Sequence, residues 1–448
     1  MGDRTPPTIG DRTPPIEPIE ARGDEADARR PRGRRGRRGP LAFLAILGPG
    51  LIAANAGNDA GGIATYSSVG ATFGYSLLFA LVLITISLAL AQEMAGRMGA
   101  VTGKGFAELV RENLGIRATA FVVLTLVIAN GGLIVSEFVG IGAAAELFGF
   151  SRYVVVPPMA VLLWWLITRG SYGRVERVFL VMTLVFFAYP VAAILARPDW
   201  GDVGRQLIRP SLGFSAEYFT LFIALVGTTV TPYMQLYFQS ATAERGRTTK
   251  LRNVRIDAYS GALFSDLIAG FIIVATGATL FVAGQQIATA ADAARALEPL
   301  AGPRAGILFG IGLFGASMLA GAVLPLATAY TVTEAFGLEK GVSRTFREAP
   351  AFLGLFTGLI IFGALVALLP GIDVIRLLLV TQILNGLLLP VVLISILRII
   401  NDPEVMGEHT NSRAYNVLAW TTVAFVVLLS TVYLILTILG FFGVAIGG

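Results

Sequence analysis

The sequence predicts an all-α integral membrane protein of about eleven transmembrane helices, arranged as two five-helix repeats of opposite orientation. Three observations support this fold class. The chain of 448 residues is 55% apolar and only 14% charged, which is typical of a multi-pass membrane protein. Long apolar segments recur along almost its whole length. Two of these segments, five apart in the chain, are interrupted by helix-breaking residues, as in transporters with inverted repeats.

Residues 1–40 differ in composition from the rest of the chain. They are rich in Pro, Arg and Asp/Glu, and Gly-Asp-Arg-Thr-Pro-Pro occurs at both 2–7 and 10–15. Because this composition cannot bury a core, we expect a disordered tail and not a secretory signal. The arginines that end the tail predict a cytoplasmic N-terminus in contact with anionic lipid.

Eleven apolar segments follow the tail, and most have the roughly 20 residues that a helix needs to cross the hydrocarbon. We number them spans 1 to 11, with approximate limits 41–70, 73–97, 117–148, 153–168, 176–196, 213–243, 258–285, 304–336, 350–369, 373–400 and 413–443. The predicted transporter domain is 41–443, with repeat one at 41–196, repeat two at 213–400 and an extra helix at 413–443. Span 4 is the shortest of them.

Basic residues test this count, because they concentrate in cytoplasmic connections of membrane proteins. They cluster after spans 2, 4, 6, 8 and 10, all of which are cytoplasmic if the N-terminus is inside. The connection at 197–209 is the exception, since it holds three arginines. The bias predicts a multi-pass protein of the cell membrane with its C-terminus outside.

Span 1 is interrupted at residues 57–62, where glycines surround Asp59. Glycine is a poor helix former, and a carboxylate at membrane depth costs several kcal/mol unless it faces a partner, a cavity or an ion. A charged residue at a helix break is how transporters build ion sites. The alternative is an ion pair with a Lys or Arg of another span, although the apolar spans offer few such cations.

Span 6 is interrupted at residues 227–233, which include Pro232. Proline removes a helix hydrogen bond, and carbonyls freed within a membrane must be satisfied by protein, water or an ion. Alone, this break would indicate a structural kink. Paired with the break in span 1, it predicts an ion site near the midplane, between the two broken helices.

Asp59 is expected to be the only formal charge at this site and the main cation ligand. Other candidate metal-binding groups are oxygen atoms near the two breaks and in span 10: the side chains of Asn58 and Asn55, the carbonyls near Ala56 and Thr228, the hydroxyl of Thr231, and the side chain of Gln382. For the Asn and Gln side chains, packing between helices is the alternative. Oxygen ligands suit Mg²⁺, Ca²⁺ or Mn²⁺. The chain has no cysteine and one histidine, His409, so thiolate sites and sites of several imidazoles are excluded.

Six short motifs stand out between residues 41 and 440. They are Gly48-Pro49-Gly50, Asp59-Ala60-Gly61-Gly62, Phe73-Gly74-Tyr75-Ser76-Leu77-Leu78, Thr102-Gly103-Lys104-Gly105-Phe106-Ala107-Glu108, Val226-Gly227-Thr228-Thr229-Val230-Thr231-Pro232-Tyr233 and Met406-Gly407-Glu408-His409-Thr410-Asn411-Ser412-Arg413. Together they resemble the Nramp family of divalent metal transporters. The resemblance implies the LeuT-type architecture, in agreement with the inverted repeat inferred from the breaks.

The chain departs from the family pattern at both breaks. In the family, span 1 carries Asp-Pro-Gly-Asn, whose Asp and Asn bind metal; here Asp59 stays and Gly62 stands at the Asn position. Span 6 of the family carries Met-Pro-His, whose Met sulfur binds Mn²⁺ or Fe²⁺; here the residues are Thr231, Pro232 and Tyr233. The resemblance thus places Gly62 and Thr231 at metal-binding positions and implies a roomier, harder site, with Tyr233 beside them as a further candidate metal-binding residue.

The residues that the family uses for proton coupling are also changed. Tyr233 and Phe238 occupy the positions of the span 6 histidines. In span 3, Glu137 corresponds to the family's Glu, but Ile134 stands where the family has an Asp, so Glu137 could be only a structural polar residue. These losses resemble the Nramp-related magnesium transporters, whose transport is uncoupled from protons.

We therefore predict a transporter that imports a divalent cation, Mg²⁺ ahead of Mn²⁺, without proton coupling. The metal is its cargo and not a cofactor, and we expect no nucleic-acid or obligate protein partner. The alternatives are proton-coupled Mn²⁺/Fe²⁺ uptake, transport of an organic solute on the same architecture, and a non-transporting metal sensor. An enzyme is not expected, because the sequence shows no nucleophile–base set, phosphate loop or redox motif.

Overall fold

The computed structural model describes residues 48–210, 213, 215–246, 250–287 and 303–441. The predicted disordered tail at 1–40 lies outside these residues, and the limits of the predicted domain and repeats stay a prediction. Throughout the described ranges the regular secondary structure is helical.

The helices follow one another with short connections. In chain order they are Pro49–Ala56, Ala60–Phe73, Leu78–Thr102, Phe106–Leu114, Ile116–Leu147, Arg152–Thr168, Tyr172–Met182, Thr183–Phe187 (3₁₀), Ala188–Leu195, Trp200–Ile208, Ala216–Thr229, Pro232–Arg245, Leu251–Thr276, Gly277–Phe281 (π), Pro303–Phe336, Pro350–Ala367, Val374–Ile400, Pro403–Met406, Gly407–His409 (3₁₀) and Arg413–Phe441.

Nine membrane-length apolar segments are found in the described part of the chain. The shorter helix Arg152–Thr168 is the predicted span 4. Span 1 consists of two half-helices, 1a (Pro49–Ala56) and 1b (Ala60–Phe73). Together these segments account for the eleven predicted spans and confirm the all-α class.

The break in span 1 follows from the residues between its halves. Gly57 and Asn58 separate half-helices 1a and 1b, and Asp59 has an extended backbone that ends the helical path. The side chain of Asp59 accepts a hydrogen bond from the Gly62 N–H and so caps half-helix 1b. The same residue that interrupts the span therefore stabilises the start of its second half.

Span 6 is divided in the same manner into half-helices 6a (Ala216–Thr229) and 6b (Pro232–Arg245). Pro232 is the first residue of half-helix 6b, where its missing N–H would have had no helical partner. The preceding Thr231 has the extended backbone that a following proline favours. Both predicted breaks are confirmed.

Spans 7 and 10 hold the broken helices in place. The Asp257 carboxylate of span 7 accepts hydrogen bonds from the N–H groups of Gly48, Gly50 and Leu51, at 2.9, 2.8 and 3.1 Å, at the start of half-helix 1a. Span 10 packs directly on half-helix 6a, since a Cβ atom on Gly227 would lie only 2.5 Å from the Gly386 nitrogen. This close approach brings the polar residues of span 10 to the breaks.

Candidate metal site

The two breaks face each other, and hydroxyls from span 6 satisfy carbonyls that the break in span 1 has freed. The Tyr233 hydroxyl donates to the Ala56 carbonyl at 2.6 Å, and the Thr228 hydroxyl donates to the Gly57 carbonyl at 3.3 Å. The Thr231 hydroxyl instead donates within span 6, to the carbonyl of Thr228 at 2.7 Å. These three carbonyls are thus satisfied inside the protein, as a low-dielectric environment requires.

Asp59 has one oxygen held in place and the other free. Its Oδ1 accepts from the Gly62 N–H at 2.5 Å and from Nε2 of Gln382 at 2.9 Å. Its Oδ2 is buried and has no hydrogen-bond partner among the residues that the structure describes, and Asp59 has no exposed surface. The N-terminus of half-helix 1b favours the negative charge. The carboxylate is fixed in orientation while one strong acceptor stays available for a cation.

Asn58 presents a second unpaired oxygen beside Asp59. Its Nδ2 donates to the Ser265 carbonyl of span 7 at 3.0 Å, whereas its Oδ1 has no partner in the described part of the chain. The Ser265 hydroxyl donates to the Ala54 carbonyl at 2.7 Å, which ties span 7 to half-helix 1a. Asn55 donates through Nδ2 to the Leu51 carbonyl of its own helix, and its Oδ1 likewise has no partner among the described residues. Two adjacent residues at the break therefore each offer one buried oxygen.

Glu137 of span 3 reaches the same end of half-helix 1b. Its Oε2 accepts from the Ala60 N–H at 3.2 Å and its Oε1 accepts from the Ser136 hydroxyl at 3.2 Å. Both Glu137 and Asp59 are fully buried. The packing of span 3 therefore brings a second carboxyl group to the first residue of half-helix 1b, and the expectation that Asp59 is the only formal charge at the site stays a prediction.

No Lys or Arg side chain neutralises Asp59 within the described part of the chain. The one buried basic side chain among the described residues is that of Arg97, which pairs with Glu93 at 2.9 Å and donates to the His409 carbonyl at 2.7 Å. The structural ion pair considered from the sequence is not found there. The free oxygen of Asp59 must find its partner in water or in a bound ion.

Gly62 faces the middle of the site. A Cβ atom on Gly62 would lie 2.7 Å from Oγ1 of Thr228, 2.8 Å from the Gly57 oxygen and 3.2 Å from Oδ1 of Asp59. The position that carries Asn in the family is therefore already filled by neighbours. The roomier site implied by the resemblance is not seen in this closed arrangement, because the Thr228 hydroxyl of span 6 occupies the space beside Gly62.

Met234 is a feature of the site that the sequence reasoning missed. A Cβ atom on Gly57 would lie 2.6 Å from Sδ of Met234, so the thioether packs directly against the break in span 1. Met234 is fully buried and lies in the first turn of half-helix 6b. The sequence analysis considered a sulfur ligand only at position 231, the position of the family's Met. Met234, two residues after Pro232, was the signal in the sequence that could have revealed it.

All the predicted metal-binding residues are brought together and closed off. Ala56, Asn58, Asp59, Thr228, Thr231, Tyr233 and Gln382 each have no exposed surface, and Gly62 is buried. Gln382 both contacts Asp59 and accepts a hydrogen bond from Nδ2 of Asn385 at 3.2 Å. The arrangement is an occluded cluster of oxygen atoms with net acidic character, and direct binding of a cation by any of these residues stays a prediction.

Comparisons with known proteins agree with this geometry. The family model described as natural resistance-associated macrophage protein-like (Nramp) matches residues 50–437. A relative from Deinococcus radiodurans, named divalent metal cation transporter MntH, is 27% identical over 460 aligned positions, which cover 98% of this chain and 100% of the relative.

Solved structures show the same fold. The manganese transporter of Eremococcus coleocola, in complex with an aromatic bis-isothiourea substituted compound, superposes with a TM-score of 0.72 at 19% identity, covering 93% of this chain and 91% of that one. The transporter MhsT in complex with L-phenylalanine superposes with a TM-score of 0.57 at 14% identity, covering 90% of this chain and 99% of that one. The expected architecture of discontinuous helices 1 and 6 is confirmed.

Proposed function

Because the chain belongs to the Nramp family, we propose that it is a multi-pass transporter that imports a divalent metal cation across the cell membrane. The observation that carries the proposal is the buried, unpaired Oδ2 of Asp59, at a break between two half-helices. A carboxylate without a partner at this depth is costly unless a cation occupies the site for part of the transport cycle. The N-terminus would lie in the cytoplasm, as the basic connections predict.

Mg²⁺ is the cargo that we propose. The buried oxygens at the break in span 1 that have no hydrogen-bond partner among the described residues include those of Asp59, Asn58 and Asn55, and carboxylate and amide oxygens are hard ligands that suit Mg²⁺. Thr231 supplies a hydroxyl where the family resemblance implies a Met sulfur. A site with few charged ligands also suits an ion that keeps several of its waters.

The hydroxyl–carbonyl pairs give a route for binding and release. In the closed arrangement Tyr233 and Thr228 hold the carbonyls of Ala56 and Gly57. When the helix groups rock apart, the hydrogen bonds from the two hydroxyls break, and the two carbonyls bind a cation or the water molecules around it. Closure restores the hydrogen bonds, so the protein can return empty without leaving unsatisfied carbonyls.

Transport is proposed to be uncoupled from protons. Ile134 stands at the position of the family's span 3 Asp, and Tyr233 and Phe238 stand where span 6 carries histidines, so the imidazoles that titrate near neutral pH are missing from this helix. Phe238 is buried and carries no titratable group. Glu137 then serves to hold half-helix 1b through the Ala60 N–H.

Proton-coupled Mn²⁺ transport is the second candidate, and two contacts favour it. The Met234 thioether lies against the break, and a soft sulfur favours Mn²⁺ over Mg²⁺. Glu137 is a second buried carboxyl at the site and could carry a proton. The Eremococcus protein is named a manganese transporter, which points to the same cargo.

Flux into proteoliposomes separates the candidates. Purified full-length protein is reconstituted with a Mg²⁺-sensitive dye and, in parallel vesicles, with a pH dye. Saturable Mg²⁺ entry without acidification is the expected result. Mn²⁺ entry with acidification and no Mg²⁺ entry would overturn it in favour of the second candidate. Tight metal binding without any flux would instead identify a sensor.

A further inference from the structure

A further buried carboxylate, Asp266 of span 7, is used by nothing described above. It is 4% exposed, and its only polar neighbour among the described residues is the Thr85 hydroxyl, which lies beside the carboxylate without a hydrogen bond of good geometry. The neighbouring Ser265 contacts Asn58 and Ala54, so Asp266 lies at the depth of the break in span 1. A charge left unpaired so deep in a helix bundle points to a missing partner.

Asp266 lines a cavity of about 250 Å³ with otherwise apolar walls. The residues around it come from span 2, span 7 and the short connecting helix Trp200–Ile208: Leu78, Leu81, Val82, Thr85, Trp200, Val203, Leu207, Leu263, Leu267, Gly270, Phe271 and Val274. Thr85 donates its hydroxyl to the Leu81 carbonyl at 2.8 Å. Asp266 is the only charged residue among those lining this cavity.

The connecting helix covers the cavity with one apolar face. Trp200, Val203 and Leu207 follow the spacing of a single helix face, and all three line the cavity. On the bilayer side the walls include Val82, Leu263 and Leu267, which are 40%, 65% and 53% exposed. A ligand dissolved in the bilayer can therefore reach the cavity sideways.

We propose that this cavity binds an amphiphilic ammonium compound, whose apolar body lies against spans 2 and 7 and whose cationic nitrogen pairs with Asp266 once the covered carboxylate turns from Thr85 toward the ligand. A metal ion fits poorly, because Asp266 is the sole carboxylate on the wall and a divalent cation needs about six oxygen ligands. A neutral tail would fill the space but leave the carboxylate unpaired. The volume is slightly below the roughly 300 Å³ typical of small-ligand pockets, so a compact arylalkylamine suits it.

Trp200 provides a local reporter for the test. The other tryptophans, Trp164, Trp165 and Trp420, are replaced by Phe, and the full-length protein is placed in phosphatidylcholine nanodiscs. A bromophenyl-alkylamine is titrated against the bromophenyl-alkanol of the same length, and contact quenching of Trp200 is measured. We expect saturable quenching, with the amine binding roughly tenfold or more tightly than the alcohol, as for a hydrogen bond to a charged group.

Variants then assign the binding to Asp266. Asp266→Asn keeps the size of the side chain and should reduce the ratio of amine affinity to alcohol affinity to about one. Asp202→Asn changes a residue of the connecting helix outside the cavity wall and should leave this ratio unchanged. Gly270→Leu should block both probes, since its Cβ meets Leu81 at an ordinary 3.6 Å and the longer side chain enters the cavity.

Three results would overturn the proposal. Equal quenching by amine and alcohol would mean apolar partitioning only. An undiminished preference for the amine in Asp266→Asn would place its nitrogen elsewhere, and loss of the preference in Asp59→Asn alone would place it in the metal site. Adding phosphatidylethanolamine to the nanodiscs identifies the natural source of the ammonium group. If this lipid competes with the bromophenyl-alkylamine, the site binds a lipid headgroup, and if it does not compete, the site binds free amines.

Discussion

The hydrogen bond from Tyr233 to the Ala56 carbonyl makes a quantitative test of the binding route. Tyr233→Phe removes a buried 2.6 Å bond and leaves the carbonyl without a partner in the closed, empty protein. An unsatisfied buried acceptor costs about 1–3 kcal/mol. A metal that uses this carbonyl no longer has to displace the hydroxyl, so its apparent affinity should rise by roughly 5- to 150-fold. The same change should lower the unfolding temperature of the empty protein.

The matched control is Tyr189→Phe. Tyr189 is a buried tyrosine of span 5 whose hydroxyl has no hydrogen-bond partner among the described residues. Removal of the Tyr189 hydroxyl should leave the metal affinity unchanged. It should change the unfolding temperature by only a small amount. Calorimetric titration with Mg²⁺ and thermal unfolding in detergent measure both effects. Unchanged affinity in Tyr233→Phe would refute the idea that the Ala56 carbonyl meets the metal, and weaker affinity would make the Tyr233 oxygen itself a ligand.

Other substitutions test the rest of the site. Gly62→Ala should strongly reduce uptake, because the new methyl group meets Oγ1 of Thr228 at 2.7 Å. The control Gly354→Ala in span 9 places a methyl group where nothing lies within 4 Å and should leave uptake normal. Equal uptake by the two variants would contradict this packing. Thr231→Met introduces a thioether and should shift relative uptake from Mg²⁺ toward Mn²⁺ or Cd²⁺ in competition assays, and unchanged ratios would mean that position 231 does not line the path. Met234→Leu should leave the ratio of Mg²⁺ to Mn²⁺ uptake unchanged if the sulfur only packs on Gly57; a selective loss of Mn²⁺ uptake would favour the second candidate function.

Hydropathy and local helix breakers were sufficient to predict the fold. A span needs only length and apolar composition, and both breaks depend on residues that are local in sequence, Asp59 with its glycines and Pro232. The connecting helices Phe106–Leu114 and Trp200–Ile208 were not predicted, because they are short and form only where neighbouring spans cover their apolar faces.

The partners of the site residues could be predicted only in part. Gln382 contacts Asp59 across 323 residues, and Asn58 contacts Ser265 across 207. Such pairs depend on how each span is rotated and shifted against the next, which helix periodicity in one sequence does not determine. Asp266, in contrast, was visible as a charge inside an apolar span and carried the same signal as Asp59.

The central claim is that Asp59 binds the transported cation, and paired flux measurements test it most directly. Mg²⁺ entry is recorded for vesicles holding equal amounts of inserted, folded wild-type protein or Asp59→Asn. The Asn variant keeps the volume and an oxygen for the Gly62 N–H but removes the charge. We predict saturable entry for the wild type and entry no faster than in empty vesicles for the variant. Entry at the wild-type rate through Asp59→Asn would contradict the account.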